Sequence, residues 1–127
     1  MIVVDASAAV AALLNQGPAR QALAADQLHA PHLVDSEVVS TLRRQVSTAQ
    51  LESDAAWAAL ETWRRLGLAR YAVIGMVERI WELRDNLSAY DASYVALAEL
   101  LDCNLLTADA RLSGVPGVRC AITVVPR

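Results

Sequence analysis

Five short apolar runs alternate with stretches of helical spacing along this chain, and that alternation constrains the fold more than any other feature. MIVV at the start is continuous and apolar, as expected of a strand buried on both faces. QLHAP, LARYAV, NLLTA and VRCAITVV supply four further predicted strands. Between them, residues 6–15 read as an Ala-rich helix that is apolar nearly all round, so it is buried or awaits a partner. Gly17-Pro18 opens a short second helix, with Pro at a tolerated first position. Leu33 to Val46 and Ala49 to Leu66 are predicted as a third and fourth helix, the latter stopped by Gly67 in a left-handed cap. Met76 to Arg84 and Ala89 to Asp102 follow as a fifth and sixth. Strands alternating with helices imply an α/β fold, a mostly parallel sheet of about five strands covered on both faces.

The 127 residues suit one domain, and no linker or composition break divides them. Apolar residues make up 55% of the chain, which excludes a disordered protein. No apolar run approaches the roughly 20 residues needed to span a bilayer, and the N-terminal segment lacks the charged region of a signal peptide. A cytoplasmic protein with no membrane association is expected. Cys103 and Cys120 do not form a C-x-x-C pair and read as small apolar groups. The net charge of −3 does not by itself suggest a nucleic-acid binder.

In parallel sheets the functional crevice lies beyond the carboxyl ends of the strands. Asp5 follows the first predicted strand and Asp109 the fourth, so adjacent parallel strands bring both carboxylates to one edge. Asp91 opens the sixth helix, where Glu99 is the only other charge before Asp102. Its bland role is to complement the helix dipole, worth about 0.3–1 kcal/mol. Glu37 shares a helical face with Ser40, Thr41 and Arg44, which is either a solvated stripe or a wall of the crevice with Arg44 available to a phosphate. Carboxylates about 4 Å apart repel by roughly 4 kcal/mol at an effective dielectric near 20. A cluster of them takes up protons or binds a cation, and all-oxygen ligands suit Mg²⁺ or Mn²⁺. His32-x-x-Asp35, with His29 nearby, is a short-range pattern that carries little weight as a metal site.

The stretches VVDASA, APHLVDSEVVSTLRR, LRDNLSAYDASYVALAE and LLTADARL, in this order and spacing, resemble the PIN-domain ribonucleases, specifically the VapC-type toxins of bacterial toxin–antitoxin pairs. The resemblance runs over essentially the whole chain. It implies a PIN-like three-layer α/β/α fold, a Mg²⁺ or Mn²⁺ site, endonucleolytic cleavage of RNA, a homodimer and a cognate VapB-type antitoxin. The family's acidic positions fall on Asp5, Glu37, Asp91 and Asp109. Asp5 and Asp91 are then expected to hold the principal metal ion, with Asp109 and Glu37 completing the cluster. Ser7 and Thr107 are placed to hydrogen-bond these carboxylates, or else act as a helix cap and a strand-end hydroxyl. Asn86 is read as a cap for the segment leading into the sixth helix rather than as reaching the crevice, and Arg111 as a solvated surface residue rather than a contact to RNA phosphate. Two apolar faces on the fourth helix, one with Trp57 and Leu60, the other with Leu51, Ala55, Ala59 and Trp63, suggest core on one side and a partner on the other. The antitoxin is expected in a groove beside the apolar first helix.

Two other classes compete. An aspartyl-phosphate protein, either a phosphatase or a receiver, also places Asp after a parallel strand, but such families rely on a Lys and this chain has none. A catalytically silent binding module requires that the four acids do not converge.

Overall fold

The computed structural model describes residues 1–127. Its first strand, β1 (Ile2–Val4), is continuous and apolar because it runs through the middle of the molecule, with Val3 and Val4 fully buried. The chain continues through α1 (Ala6–Leu14), α2 (Pro18–Ala24), β2 (Leu28–Pro31), α3 (Leu33–Ser47), α4 (Ser53–Arg65) and β3 (Leu68–Tyr71). A 3₁₀ turn over Ile74–Met76 leads into α5 (Val77–Glu82), followed by α6 (Ala89–Leu101), β4 (Asn104–Thr107), a second 3₁₀ turn over Ala110–Leu112, and β5 (Ile122–Val124).

The five strands form one sheet in the order β3-β2-β1-β4-β5, and every pairing is parallel. On one face α6 packs against β1, β2 and β4, with α5 beside it. On the other, α1 packs against β4 and α3 against β2, with α2 and α4 outside them. This is the expected three-layer α/β/α arrangement. The Ala-rich character of α1 and α6 now has a cause. Each lies between the sheet and further helices, and small side chains at Ala8, Ala9, Ala92, Ala96 and Ala98, all buried, allow close approach.

The order also fixes where a site belongs. From β1 the chain winds outward through β2 to β3, then crosses to the other side of β1 to make β4 and β5. The direction of winding reverses between β1 and β4, and in open parallel sheets that junction opens a crevice at the carboxyl ends of the strands.

Several predicted boundaries shift. The fourth helix starts at Ser53 rather than Ala49, because α3 ends in a Schellman turn: Gln50 N donates to Gln45 O at 2.8 Å and Ala49 N to Val46 O at 3.1 Å. Ala49 sits in the left-handed region there, at φ 60°. Gly67 does not form the expected left-handed cap; α4 ends on Leu66 in an extended conformation, with φ −71° and ψ 134°. β3 stops at Tyr71, α5 is shorter than Met76 to Arg84, and β5 keeps only Ile122–Val124 of its predicted run. Asn86 does not cap α6. Ser88 does, its Oγ accepting from Asp91 N at 3.1 Å.

Candidate metal and nucleic-acid site

Asp5 leaves β1 as the N-cap of α1 and is almost entirely buried. Its Oδ1 accepts from Ala8 N at 2.9 Å and from Ser7 Oγ at 2.7 Å, and its Oδ2 accepts from Thr107 Oγ1. Ser7 and Thr107 also tie the two strand ends together. Ser7 Oγ accepts from Ala108 N at 2.8 Å, and Thr107 Oγ1 accepts from Asp109 N at 3.0 Å. Both hydroxyls therefore brace the site, one of the two roles expected for them.

Asp109 follows β4 and caps the 3₁₀ turn, accepting from Arg111 N at 3.0 Å. Asp91 stands in the first turn of α6, placed by the Ser88 cap. Glu37 projects from α3 and accepts a hydrogen bond from Tyr94 Oη. All four acids line one cavity of about 340 Å³. Ser40, Thr41 and Arg44 line it too, so the polar face of α3 is the wall of the crevice and not merely a solvated stripe. Arg111 and Arg127 stand at the same cavity.

The electrostatics divide the acids. Burial pushes the Asp5 carboxyl above the usual aspartate range, against its three hydrogen bonds, and the Asp91 carboxylate adds to the rise. Burial likewise raises Glu37, opposed by the Tyr94 hydroxyl and reinforced by Asp91 and Asp5. Asp91 is raised by burial and then by Asp109, with Arg111 partly offsetting. Asp109 goes the other way, because the Arg111 guanidinium hydrogen-bonded to it favours the charged form. Three of the four carboxylates are thus pushed toward the protonated form, chiefly by burial and then by one another, and only Asp109 is paired with an arginine.

The donor set fits a hard divalent ion: four carboxylates in one half-enclosed cavity, and no thiol or imidazole among its lining. As they stand, no three acidic, His or Cys groups form a ready-made ligand cluster. Asp5, Glu37 and Asp109 are instead each held by a protein donor.

The other candidates resolve simply. Asp35 takes a bidentate bond from Arg70, at 2.6 and 2.9 Å, and a third from Trp63 Nε1 at 2.8 Å, so His32-x-x-Asp35 forms no metal site. His29 Nδ1 pairs with Tyr71 Oη at 2.7 Å. The cysteines are free and half-buried. Arg111 is not simply solvated, since it holds Asp109. Tyr94 is the residue that sequence reasoning missed in this role. Its one signal was its place three residues after Asp91, close to that residue's side of α6.

The PIN domain family matches residues 2–118. Ribonuclease VapC9 of Mycobacterium tuberculosis (strain ATCC 25618 / H37Rv) is 64% identical over 127 residues, which is 100% of both chains. Among solved structures, a protein from Pyrobaculum aerophilum superimposes with a TM-score of 0.71 at 24% identity, covering 95% of this chain and 81% of that one. A toxin–antitoxin complex from Klebsiella pneumoniae gives 0.65 at 21% identity, covering 97% and 96%. At that identity the two structures speak for the fold. With a domain match over nearly the whole chain and a full-length relative at this identity, the chain belongs to the VapC-type branch of the PIN-domain family.

Proposed function

We propose that this protein is a metal-dependent endoribonuclease, the toxin of a VapBC-type pair. The observation that carries the reading is the convergence of Asp5, Glu37, Asp91 and Asp109 from four separate parts of the chain on one cavity at the sheet's reversal point. The activity itself is brought by the full-length likeness to a named ribonuclease. Mg²⁺ or Mn²⁺ bound there would ionise a water and stabilise the leaving oxygen of a phosphodiester.

The chain's own residues supply the rest. Asp5, fixed by Ser7, Ala8 and Thr107, and Asp91, placed by the Ser88 cap, would hold the cation, with Asp109 beside them. Glu37 commits Oε1 to Tyr94 and leaves Oε2 free to accept a proton from the attacking water. Arg44 and Arg127 on the cavity wall offer guanidinium groups to the phosphates on either side of the reacting bond. This local basic rim would let a chain of net charge −3 approach a polyanion.

The antitoxin reading rests on a second groove, lined by Leu13 and Leu14 of α1 and by Leu51, Ala55 and Ala59 on and before α4. Leu14, Asn15 and Gln45 line both it and the acidic cavity, so a partner seated in the groove extends to the acids. The Klebsiella neighbour is itself part of a toxin–antitoxin complex, which supports an antitoxin partner though not its place. Dimerisation is assigned to the exposed apolar row Ile74, Val77 and Trp81 on and before α5.

Purified protein incubated with total RNA tests the activity. Cleavage in Mg²⁺ or Mn²⁺, abolished by chelation and reduced at least about 100-fold in Asp91→Asn, is the expected result. Equal cutting by the variant, or full activity in chelator, would sink it.

A further inference from the structure

We propose that Arg111 is a built-in counter-ion that closes the acidic site when it is empty and passes to the RNA when a cation arrives. This rests on the metal-dependent ribonuclease reading above. Arg111 clasps Asp109 with a fork: Nε lies 3.0 and 3.2 Å from the two carboxylate oxygens, and Nη2 lies 2.6 Å from Oδ2. The pair is lopsided. The Asp109 side chain is 14% exposed, facing the cavity, whereas that of Arg111 is 85% exposed.

The other forked arginines are less exposed and each has a second anchor. Arg79, 19% exposed, binds Glu99 and also the Gly117 carbonyl. Arg70, 29% exposed, holds Asp35 and the Leu68 carbonyl. Arg111 makes no hydrogen bond beyond Asp109, so no second hydrogen-bonding partner anchors its guanidinium. An ion pair with one solvated partner is weak and easily exchanged. A divalent ion carries more charge and binds the same oxygens directly, so it displaces the fork. The released guanidinium remains at the rim of the cavity, where a substrate phosphate has to lie.

Asp109 therefore has two alternative cations, one internal and one external. Arg111 lowers metal affinity in the absence of RNA, because the metal must first break the fork. It raises RNA affinity only once metal has done so. A residue that merely oriented Asp109 for ligation would act in the opposite direction on the metal.

The test is a Mn²⁺ titration followed by thermal melting, with full-length protein and its Arg111→Gln, Arg111→Lys and Arg127→Gln variants. Arg111→Gln is expected to reach half its melting shift at a Mn²⁺ concentration about three- to tenfold lower than wild type. Arg111→Lys, which keeps charge but loses the fork, falls between them. Arg127 acts on Asp109 only through space, so Arg127→Gln shows a smaller change than Arg111→Gln. An unchanged or higher midpoint in Arg111→Gln overturns the proposal, as does an Arg111→Lys midpoint equal to wild type. No melting shift in wild type overturns the metal reading beneath it, a failure distinct from the other two.

The RNA half is read from the salt dependence of binding to a single-stranded oligonucleotide. In Ca²⁺, Arg111→Gln is expected to lower the slope by about 0.7, the loss of one phosphate contact, and in EDTA to leave it unchanged. Equal slopes for both proteins in Ca²⁺ overturn the transfer to RNA. No RNA binding by wild type overturns the ribonuclease reading while the Mn²⁺ result stands.

Discussion

Asp91 shows how the environment of one side chain bears on stability. Its raised pKa means that the folded, metal-free state disfavours the carboxylate. Stability available below the ordinary aspartate value of 3.8 is therefore lost as pH rises through the folded pKa. Asp91→Asn removes that loss. Without metal, the variant is expected to melt with wild type near pH 3.5 and above it at pH 7, with the gap opening between. A lower melting temperature at pH 7 would contradict this. Asp5 is a poorer subject for the same experiment, because its two oxygens cap α1 and bind Thr107, and an amide cannot accept at both. Asp35 is the contrasting acid. Its partners are Arg70 and the buried Trp63 indole, and it belongs to the scaffold. Asp35→Ala is expected to cost about 1–3 kcal/mol, chiefly by orphaning the Trp63 N–H, with RNA cleavage at permissive temperature unchanged. Chemical denaturation and a cleavage assay side by side check both halves.

At the scale of elements, legibility followed the strength of the local signal. The strands at the centre, β1 and β4, were readable because burial on both faces forces continuous apolar sequence. That alone placed Asp5 and Asp109 at strand ends. The edge strands β3 and β5 were overextended in the reading, since their apolar residues continue into turns that pack on the core without pairing. The break between α3 and α4 is placed after Val46 by the sequence but made too short, for a different reason. Its left-handed position is normally marked by Gly, and here it is Ala49. The same observation makes a prediction: Ala49→Gly relieves a strained backbone and is expected to stabilise by about 0.5–1 kcal/mol, raising the melting temperature by a few degrees. An unchanged or lower value would mean the Schellman turn is not populated in solution. Tyr94 was missed because a Tyr amid apolar helix residues reads as core, and it is core; only its hydroxyl, reaching Glu37 on another helix, belongs to the site. The Arg111 clasp was hidden likewise, since side-chain direction after a strand end is not written in local spacing.

For the whole molecule, the sheet order does the positioning. Because β1 and β4 are neighbours at the reversal of winding, α1 and α6 start on opposite faces of the sheet and deliver Asp5 and Asp91 to one cavity. α3 adds Glu37 from the side, and the turn after β4 adds Asp109. The rest of the surface offers a groove continuous with that cavity through Leu14, Asn15 and Gln45, and an exposed apolar row, Ile74, Val77 and Trp81, on and before α5. The most direct test of the central claim is anomalous scattering from a crystal of the protein soaked in Mn²⁺. The account predicts a peak within about 2.0–2.6 Å of carboxylate oxygens of Asp5 and Asp91. Mn²⁺ bound only elsewhere, with that cavity empty at saturating concentration, would contradict it.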